Sequence, residues 1–403
     1  MTKKILITGG HFSPALAVIE ELEKRSGWDI FFAGRKYPLE GDKVLSLEYK
    51  IIKKRRLPFF ELRTGRLQRK YTRHTIFSLF KIPLGLIQSF LIIKKTSPDI
   101  ILSFGGYVAF PVVIAGWLLR IPVVTHEQTM TSGLANKIIA FFAKKICLSW
   151  PETVKNFPKE KAILTGNPIR KEIFNYQLKQ SPSPGVGFDS PGVGRSKLKE
   201  GFFKVKSGFN TRRELPLIYI TGGSLGAHSI NQVIMGILPQ LLKKYRLIHQ
   251  CGDSDVYKDY KQLGAQGSRL GARLRKRYLL TKFVGLEDIG WVLNNADLVI
   301  SRTGANIITE LLVLGKPAIL IPLPWAGAGE QEKNAQILKK LGSAEILSQD
   351  KLTKETLYQC IESLMQDIKR YKKNAEKGKK LVNLNAAEKI VDILEKLLEK
   401  SII

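Results

Sequence analysis

The sequence predicts an α/β protein with two similar halves, each built on a doubly wound parallel β-sheet. The first observation is a repeat, because a short β-branched run ends in Thr-Gly-Gly at residues 8–10 and again at residues 221–223. The second is that apolar runs alternate with longer amphipathic stretches over residues 3–166 and 215–342. A length of 403 residues also exceeds one ordinary core. We therefore expect two domains that face one another across a central cleft.

Each Thr-Gly-Gly is interpreted as the turn between a buried strand and a helix. Glycine at such a turn lets backbone N–H groups approach an anion at the helix N-terminus. A single copy is equally typical of a tight turn that only needs a positive φ. A third glycine pair, Gly105 and Gly106, follows the apolar run 99–103 and precedes Tyr107. Three such pairs favour a ligand site lined by backbone donors.

The expected domain boundaries follow the composition. Residues 1–170 form an N-terminal domain, residues 214–380 form a C-terminal domain, and residues 381–403 contain a helix that packs back on the N-terminal domain. Within the linker 171–213, residues 181–213 are rich in Ser, Pro, Gly and Lys and repeat Ser-Pro-Gly-Val-Gly. Such a stretch cannot bury a core, so we expect a flexible insertion.

Composition narrows the class of protein and its partners. A hydrophobic content of 44% and a charged content of 25% are those of a globular protein. The three cysteines form no Cys-x-x-Cys pair, which argues against a disulfide framework and a zinc site. No signal peptide opens the chain, so we expect a cytoplasmic location. The net charge of +30 predicts an anionic partner, such as nucleic acid, an anionic membrane or a pyrophosphate.

Residues 76–93 are apolar but interrupted by Lys81, Pro83, Gly85 and Gln88, so they do not form a transmembrane helix. Lysine and arginine flank the segment on both sides. An apolar surface ringed by cations is typical of a helix that lies in a membrane interface, here through Phe80, Leu84 and Leu91. A core helix packed on the sheet explains most of the same residues equally well.

Three patterns carry candidate chemistry. His11 follows the first glycine pair at a helix start, where the dipole keeps the imidazole neutral and able to act as a general base. Glu310 lies two turns into a helix that follows the apolar run 297–300, where its carboxylate can pair with ribose hydroxyls. Residues 329–335 offer amide and carboxylate groups for sugar hydroxyls. A structural histidine and a solvated glutamate are the ordinary alternatives.

The ordered series of these motifs resembles the MurG family, bacterial N-acetylglucosaminyltransferases that convert lipid I to lipid II. The similarity covers nearly the whole chain outside residues 181–213. The motifs that carry it are Thr-Gly-Gly-His at 8–11, Gly-Gly-Tyr-Val at 105–108, His-Glu-Gln at 126–128, Gly-Asn-Pro-Ile-Arg at 166–170, Gly-Gly-Ser at 222–224, His-Gln at 249–250 and Arg-Thr-Gly-Ala at 302–305, followed by Glu310 and Gln331.

The resemblance implies a GT-B fold, with the acceptor in the first half and the nucleotide sugar in the second. It implies inverting transfer of N-acetylglucosamine from UDP-GlcNAc to the 4-hydroxyl of the lipid I sugar, with His11 as the base. No cofactor is implied, and no metal for binding the donor diphosphate. The implied donor-binding residues are Thr8, Gly9, Gly10, Thr129, Arg170, Gly223, Ser224, Leu286, Ala305, Asn306, Glu310 and Gln331. The implied acceptor-binding residues are Gly105, Gly106, Tyr107, His126, Glu127, Gln128 and Asn136.

This interpretation also explains both the positive net charge and the apolar segment. A polyprenyl pyrophosphate acceptor lies in an anionic leaflet, so we expect a peripheral enzyme on the cytoplasmic face of the cell membrane. Two alternatives stay open: a related transferase that glycosylates another membrane lipid, and a basic nucleic-acid-binding protein. Against the second, no helix-turn-helix, zinc-finger or aromatic RNA-binding signature is present. A dehydrogenase is disfavoured because neither turn has Gly-x-Gly-x-x-Gly spacing.

Overall fold

The computed structural model describes residues 2–37, 45–65, 73–131, 133–174, 215–223, 226–254, 256–325 and 329–399. The expected insertion 181–213 lies outside these residues. The chain divides into two compact units. The N-terminal unit is Met1–Arg170 together with Asn383–Ile403, and the C-terminal unit is Lys171–Val382.

The N-terminal unit contains a seven-stranded parallel sheet in the order β3-β2-β1-β4-β5-β6-β7. Its strands are β1 Lys3–Thr8, β2 Trp28–Gly34, β3 Phe59–Glu61, β4 Ile100–Ser103, β5 Val123–Glu127, β6 Lys145–Leu148 and β7 Ala162–Leu164. Its first helices are α1 Phe12–Arg25, α2 Leu47–Lys54, α3 Arg73–Thr96, α4 Gly106–Leu118 and α5 Leu134–Phe142, and a 3-10 helix spans Pro151–Asn156.

Alternation along β1 explains why helices cover both faces of this sheet. Ile5 and Ile7 belong to one buried cluster, which includes α1, whereas Leu6 belongs to another, which includes α3 and α4. Strands that are apolar on both faces are typical of parallel sheets covered on both sides. In register, Thr8 at the end of β1 lies between Ala33 of β2 and Ser103 of β4.

The C-terminal unit repeats this plan with a six-stranded parallel sheet in the order β10-β9-β8-β11-β12-β13. Its strands are β8 Leu217–Thr221, β9 Arg246–Gln250, β10 Tyr278–Thr281, β11 Leu298–Ser301, β12 Ala318–Leu320 and β13 Ala344–Ile346. Its helices are α6 His228–Lys244, α7 Asp259–Ser268, α8 Ala272–Arg275, α9 Leu286–Asn295, α10 Ala305–Leu314, α11 Glu330–Lys340, α12 Lys354–Gln366 and α13 Ile368–Gly378, with 3-10 helices at Gln349–Lys351 and Lys379–Leu381.

The last helix, α14 Ala386–Glu399, returns to the N-terminal unit and packs on α1. Ile390, Val391 and Leu394 join the buried cluster of β1 and α1. Arg25 at the end of α1 forms ion pairs of 2.7 Å with Asp392 and Glu395. Burial opposes the charge of Arg25, but its hydrogen bonds to carboxylates outweigh burial and raise its pKa. Apolar packing and charge pairing together hold α14 in place.

The predicted fold class is confirmed, since both units are α/β with parallel sheets. All three glycine pairs lie where expected, directly after β1 and β8 and one residue after β4. The apolar segment 76–93 falls within α3, which contains Pro83. None of the helices in the described ranges is long and apolar enough to cross a membrane.

Candidate active site

The two glycine turns of the N-terminal unit pack directly against each other. Gly9 has φ +147°, and a Cβ there would lie 2.8 Å from the backbone of Phe104. Gly105 has φ +68°, and a Cβ there would collide with the side-chain amide of Asn136. The N–H of Gly10 donates a 3.0 Å hydrogen bond to the carbonyl of Gly105. Only glycine permits this close approach, so the turns form one unit at the carboxyl edge of the sheet.

His11 lies at this edge, immediately before α1. Its Nδ1 is 2.9 Å from the carbonyl oxygen of Phe104. A carbonyl can only accept, so in the neutral ring Nδ1 carries the hydrogen and Nε2 keeps its lone pair. The half-buried ring is therefore held in the tautomer that a general base requires.

His126, on β5, is buried in the same region. Its Nε2 donates to the carbonyl of Gly166 at 3.2 Å, and its ring centroid is 5.6 Å from that of Phe104. Burial lowers the pKa of His126 to about 4, helped by repulsion from His11 and opposed by the bond to Gly166. His126 is thus a neutral side chain at physiological pH.

Glu127 and Asn136 hold the second glycine turn in shape. Asn136 accepts from the N–H of Gly106 at 2.8 Å and donates to Glu127 Oε2 at 2.8 Å. The other carboxylate oxygen of Glu127 accepts from the N–H of Thr129 at 2.9 Å and lies 2.7 Å from its hydroxyl. Three predicted ligand-binding residues therefore make a buried polar network that supports the turn.

Buried polar atoms without a partner collect at this carboxyl edge. Among the described residues of the N-terminal unit they include Thr8 Oγ1, His126 Nδ1, Gln128 Oε1 and Thr131 Oγ1. Each follows or ends β1 or β5. Unsatisfied buried polar atoms are rare and call for an ordered water or a ligand. Their clustering makes this edge the candidate acceptor site.

The glycine turn of the C-terminal unit is built differently. A Cβ on Gly222 would collide with Ala227, and one on Gly226 would collide with the carbonyl of Cys251. Gly223 has φ +85°, is exposed, and has open space where a Cβ would lie. Gly223 therefore presents backbone to solvent at the carboxyl end of β8, as the donor-binding prediction requires. Ser224 lies outside the described residues.

Gln250 at the end of β9 braces this turn, a role that the sequence did not reveal. Its Nε2 donates to the carbonyl of Gly223 at 2.9 Å, and its Oε1 accepts from the N–H of Val284 at 2.9 Å. The loop that contains Val284 leads into α9, whose first residue is Leu286. The first N–H groups of a helix have no partner within the helix, so the backbone of Leu286 is suited to its predicted role in donor binding.

The other predicted donor residues lie around the start of α10. Ala305 and Glu310 are 3% and 5% exposed, and Asn306 is half-buried. Gln331 Oε1 accepts from the N–H of Leu323 at 3.0 Å, which ties α11 to the segment after β12. The structure therefore groups these four residues at the carboxyl edge of the second sheet.

Arg302, which follows β11 directly, received no role from the sequence beyond its motif. Its guanidinium donates to Ser229 Oγ at 2.8 Å and to the carbonyl of Ile321 at 3.1 Å. Burial lowers its pKa to about 10, so it stays charged. Both of these partners are neutral, and Ser229 lies in the first turn of α6, whose N-terminal dipole also favours an anion. The feature of the sequence that could have identified Arg302 is a basic residue directly after the end of a strand.

The predicted site residues divide between the units. His11 and the whole acceptor set belong to the N-terminal unit, as do the donor residues Thr8, Gly9, Gly10, Thr129 and Arg170, and the remaining donor residues belong to the C-terminal unit. Leu84 and Leu91 lie on α3, and the side chain of Phe80 is outside the described residues. Within the described ranges, no group of three or more His, Cys, Asp and Glu side chains could hold a metal ion.

Two parallel-sheet units with glycine turns at their carboxyl edges define a GT-B type of nucleotide-sugar protein. Residues 8–148 match the glycosyltransferase family 28 N-terminal domain, and residues 217–394 match the glycosyltransferase family 28 C-terminal domain. The chain belongs to glycosyltransferase family 28 and, within it, to the MurG family.

Full-length relatives support that assignment. A UDP-N-acetylglucosamine--N-acetylmuramyl-(pentapeptide) pyrophosphoryl-undecaprenol N-acetylglucosamine transferase 2 of Bacillus cereus is 35% identical over 402 residues, which cover 98% of this chain and 99% of the relative. A transferase from Clostridium botulinum with the same name but without the number 2 is also 35% identical, with the same coverage.

Solved structures give the same picture of the fold. MurG of Acinetobacter baumannii has a TM-score of 0.62 and 25% identity, covering 98% of this chain and 99% of that one. A UDP-GlcNAc 2-epimerase of Neisseria meningitidis bound to UDP-GlcNAc has a TM-score of 0.63 at 13% identity, covering 98% of this chain and 100% of its own, and shares the fold alone.

Proposed function

We propose that this protein transfers N-acetylglucosamine from UDP-GlcNAc to the 4-hydroxyl of the N-acetylmuramyl sugar of undecaprenyl-pyrophosphate-linked lipid I, forming lipid II. The observation that carries the proposal is the hydrogen bond from His11 Nδ1 to the Phe104 carbonyl, which leaves Nε2 able to accept a proton. The names of the full-length relatives supply the donor and the acceptor.

In the proposed reaction, His11 removes the proton of the acceptor hydroxyl as its oxygen attacks the anomeric carbon of the donor. The bond between that carbon and the diphosphate breaks, UDP leaves, and the configuration inverts. The exposed turn at Gly223 and the cation of Arg302 are suited to stabilise the negative charge on the departing diphosphate. We propose that donor binding needs no metal.

The test is transfer of labelled N-acetylglucosamine to a short-chain lipid I analogue in excess EDTA, for wild type, His11→Ala and Lys24→Ala. Lys24 is exposed at the other end of the same helix and is the matched control. We expect product from wild type and Lys24→Ala. We expect kcat to fall about 10²- to 10⁴-fold in His11→Ala, the usual contribution of a general base, with UDP affinity unchanged.

Three outcomes would contradict parts of the proposal. UDP binding without transfer by wild type would retain the family and redirect the search to another acceptor lipid. Equal rates for His11→Ala and Lys24→Ala would remove His11 as the base. Loss of activity in EDTA that Mg²⁺ restores would overturn metal independence alone.

We further propose that the N-terminal unit docks on an anionic membrane. Leu84, Ile87 and Leu91 recur at helical spacing on α3 and are 46%, 58% and 62% exposed. Since α3 packs on α4 and α4 on α5, the exposed Trp117 and Phe141 extend this apolar surface. The exposed lysines and arginines near it are Lys94, Lys95, Arg120, Lys137 and Lys144. Apolar side chains ringed by cations fit an anionic lipid surface better than any neutral partner.

Serine at Phe80, Leu84 and Leu91 together should reduce retention on phosphatidylglycerol vesicles while leaving UDP-GlcNAc affinity unchanged. The matched control is Val256→Ser, because Val256 is 82% exposed but lies in the C-terminal unit. Equal retention of the two proteins would remove the docking proposal, and it would leave the proposed transfer reaction standing.

A further inference from the structure

Arg35 and Tyr107 make a contact that crosses the candidate acceptor site. Arg35 follows β2, and Tyr107 lies in the first turn of α4, after β4. The sheet order places β1 between β2 and β4. The guanidinium of Arg35 nevertheless lies 5.1 Å from the centre of the Tyr107 ring. The contact therefore passes over the carboxyl end of β1, where the first glycine turn and His11 lie.

The backbone of Arg35 is held firmly in place. Its N–H donates to Glu48 Oε1 at 2.8 Å, and its carbonyl accepts from Ser46 Oγ at 2.6 Å. Glu48 is 9% exposed, and Ser46 begins α2 as its capping residue. Burial raises the pKa of Glu48, while the N–H and the charge of Arg35 oppose that rise. A buried carboxyl group and a helix cap thus anchor the backbone from which the side chain of Arg35 reaches towards Tyr107.

The placement of the guanidinium over the Tyr107 ring also suits the recognition of an anion. A guanidinium that rests on an aromatic ring uses its face, while its N–H groups lie in its plane. That planar fork matches the spacing of two oxygens in a phosphate or a carboxylate. Gly10, in the turn below, is exposed. The position combines a fixed cation with access from solvent.

We propose that Arg35, positioned by Tyr107 and Glu48, binds an oxyanion of the acceptor and so helps to place the acceptor hydroxyl at His11. This rests on the proposed function, because the acceptor is the anionic substrate. The oxyanion is a phosphate of the pyrophosphate or a carboxylate of the peptide, and the chemistry of recognition is the same for both.

The first experiment compares steady-state constants of wild type, Arg35→Gln, Arg35→Lys and Lys53→Gln. Lys53 is exposed on α2, so its substitution removes one positive charge outside the site. We expect Arg35→Gln to raise the KM for the acceptor roughly tenfold or more, since a charge-assisted hydrogen bond is lost. The KM for UDP-GlcNAc should stay unchanged. Arg35→Lys keeps the charge but loses the planar fork, so its KM should be intermediate.

Acceptors with free and with amidated peptide carboxylates distinguish the two sources. An effect of Arg35→Gln that persists with the amidated acceptor assigns the pyrophosphate, and one that disappears assigns the peptide. The proposal is overturned if the KM for the acceptor is the same in Arg35→Gln and Lys53→Gln. It is also overturned if the constants for donor and acceptor rise equally.

A second readout separates this proposal from the proposed function. Inorganic pyrophosphate is added to protein saturated with UDP, so that the donor diphosphate site is already occupied, and the thermal midpoint is measured. We expect pyrophosphate to raise the midpoint of wild type and Lys53→Gln but not of Arg35→Gln. If pyrophosphate raises the midpoint in this way but the protein transfers no sugar to lipid I, the anion site is supported and lipid I is rejected as the acceptor. Transfer by wild type with no effect of Arg35→Gln in either assay would reject the anion site alone.

Discussion

At the first Thr-Gly-Gly turn the hydroxyl of Thr8 is buried with no partner in the described part of the chain, whereas at the second the hydroxyl of Thr221 accepts from the N–H of Gly223 at 3.1 Å. The first turn is held by a hydrogen bond to another turn, from the N–H of Gly10 to the carbonyl of Gly105. The second turn is held by its own bond between Gly223 and Thr221 and by the hydrogen bond from Gln250 to the carbonyl of Gly223. Identical tripeptides thus leave different polar groups available for a ligand.

The buried histidines of the two units differ in the same way. His249 donates from Nε2 to Asn231 at 2.9 Å and has the Tyr278 hydroxyl 3.1 Å from Nδ1. His126 uses only Nε2. A histidine whose two ring nitrogens are both hydrogen-bonded has a structural role in the core. One whose second nitrogen is buried with an unpaired lone pair can still accept a hydrogen bond from a ligand. The comparison teaches that the buried histidine of the N-terminal unit keeps an unpaired ring nitrogen, whereas that of the C-terminal unit has both ring nitrogens paired.

The largest expected effect is a loss of stability in mild acid. Burial lowers the pKa of His126 to about 4 and that of His249 to about 3, from 6.5. The unfolded chain binds more protons below pH 6.5, so each contribution is complete above that pH and is lost as the pH falls through the folded pKa. Between pH 6.5 and pH 5 both rings stay neutral in the folded protein, so each contribution falls by roughly 2 kcal/mol.

Urea unfolding of the full chain at pH 7.5, 6 and 5, fitted as two transitions, measures this loss. His126→Gln should flatten the pH dependence of one transition and His249→Gln that of the other. If either variant retained the full wild-type slope, the corresponding histidine would not be the titrating group.

The next largest effect is the difference in lost stability between a glycine whose Cβ would collide with neighbouring atoms and a glycine with open space at that position. Gly226→Ala should destabilise the C-terminal unit by about 2 kcal/mol or more, because a Cβ would collide with the Cys251 carbonyl and φ is +78°. Gly223→Ala should cost only about 1–2 kcal/mol, the strain of its positive φ in open space. The control is Gly271→Ala, with φ −57° and no neighbour within 4 Å, which introduces no collision and should cost less than about 1 kcal/mol, the preference for glycine over alanine at this capping position of α8.

The urea midpoint of each variant tests this ranking. A Gly223→Ala protein as unstable as Gly226→Ala would mean that position 223 is packed as tightly as position 226.

The sequence was sufficient for the elements that depend on local pattern. Apolar runs, amphipathic stretches and strand-end glycines predicted both sheets and the location of the three turns, because these features follow from neighbours along the chain. His11 could be placed at a helix start for the same reason. Its tautomer could not, since the carbonyl of Phe104 that determines it lies 93 residues away.

The rest depends on strand order, which no local pattern encodes. The sheet order places β1 between β2 and β4, so the contact between Arg35 and Tyr107 crosses the end of β1. Glu127 and Asn136 were predicted to bind the acceptor from their motifs, but their mutual bond emerges only when α5 packs beside β5. Long-range pairing decides which polar groups are satisfied, and therefore which are left for chemistry.

The smallest expected effect is the sharpest test of the comparison between the two turns. Thr221→Val removes the acceptor of the Gly223 N–H and should cost about 1 kcal/mol, the usual worth of a hydrogen bond. Thr8→Val removes a buried hydroxyl without a partner in the described ranges and should be neutral or stabilising, because valine has the same shape and no polar atom to bury. The difference between the two urea midpoints is the measurement, and each variant serves as the control for the other. Equal losses would mean that Thr8 is bonded in the folded protein, and the first turn would then have no polar group to spare.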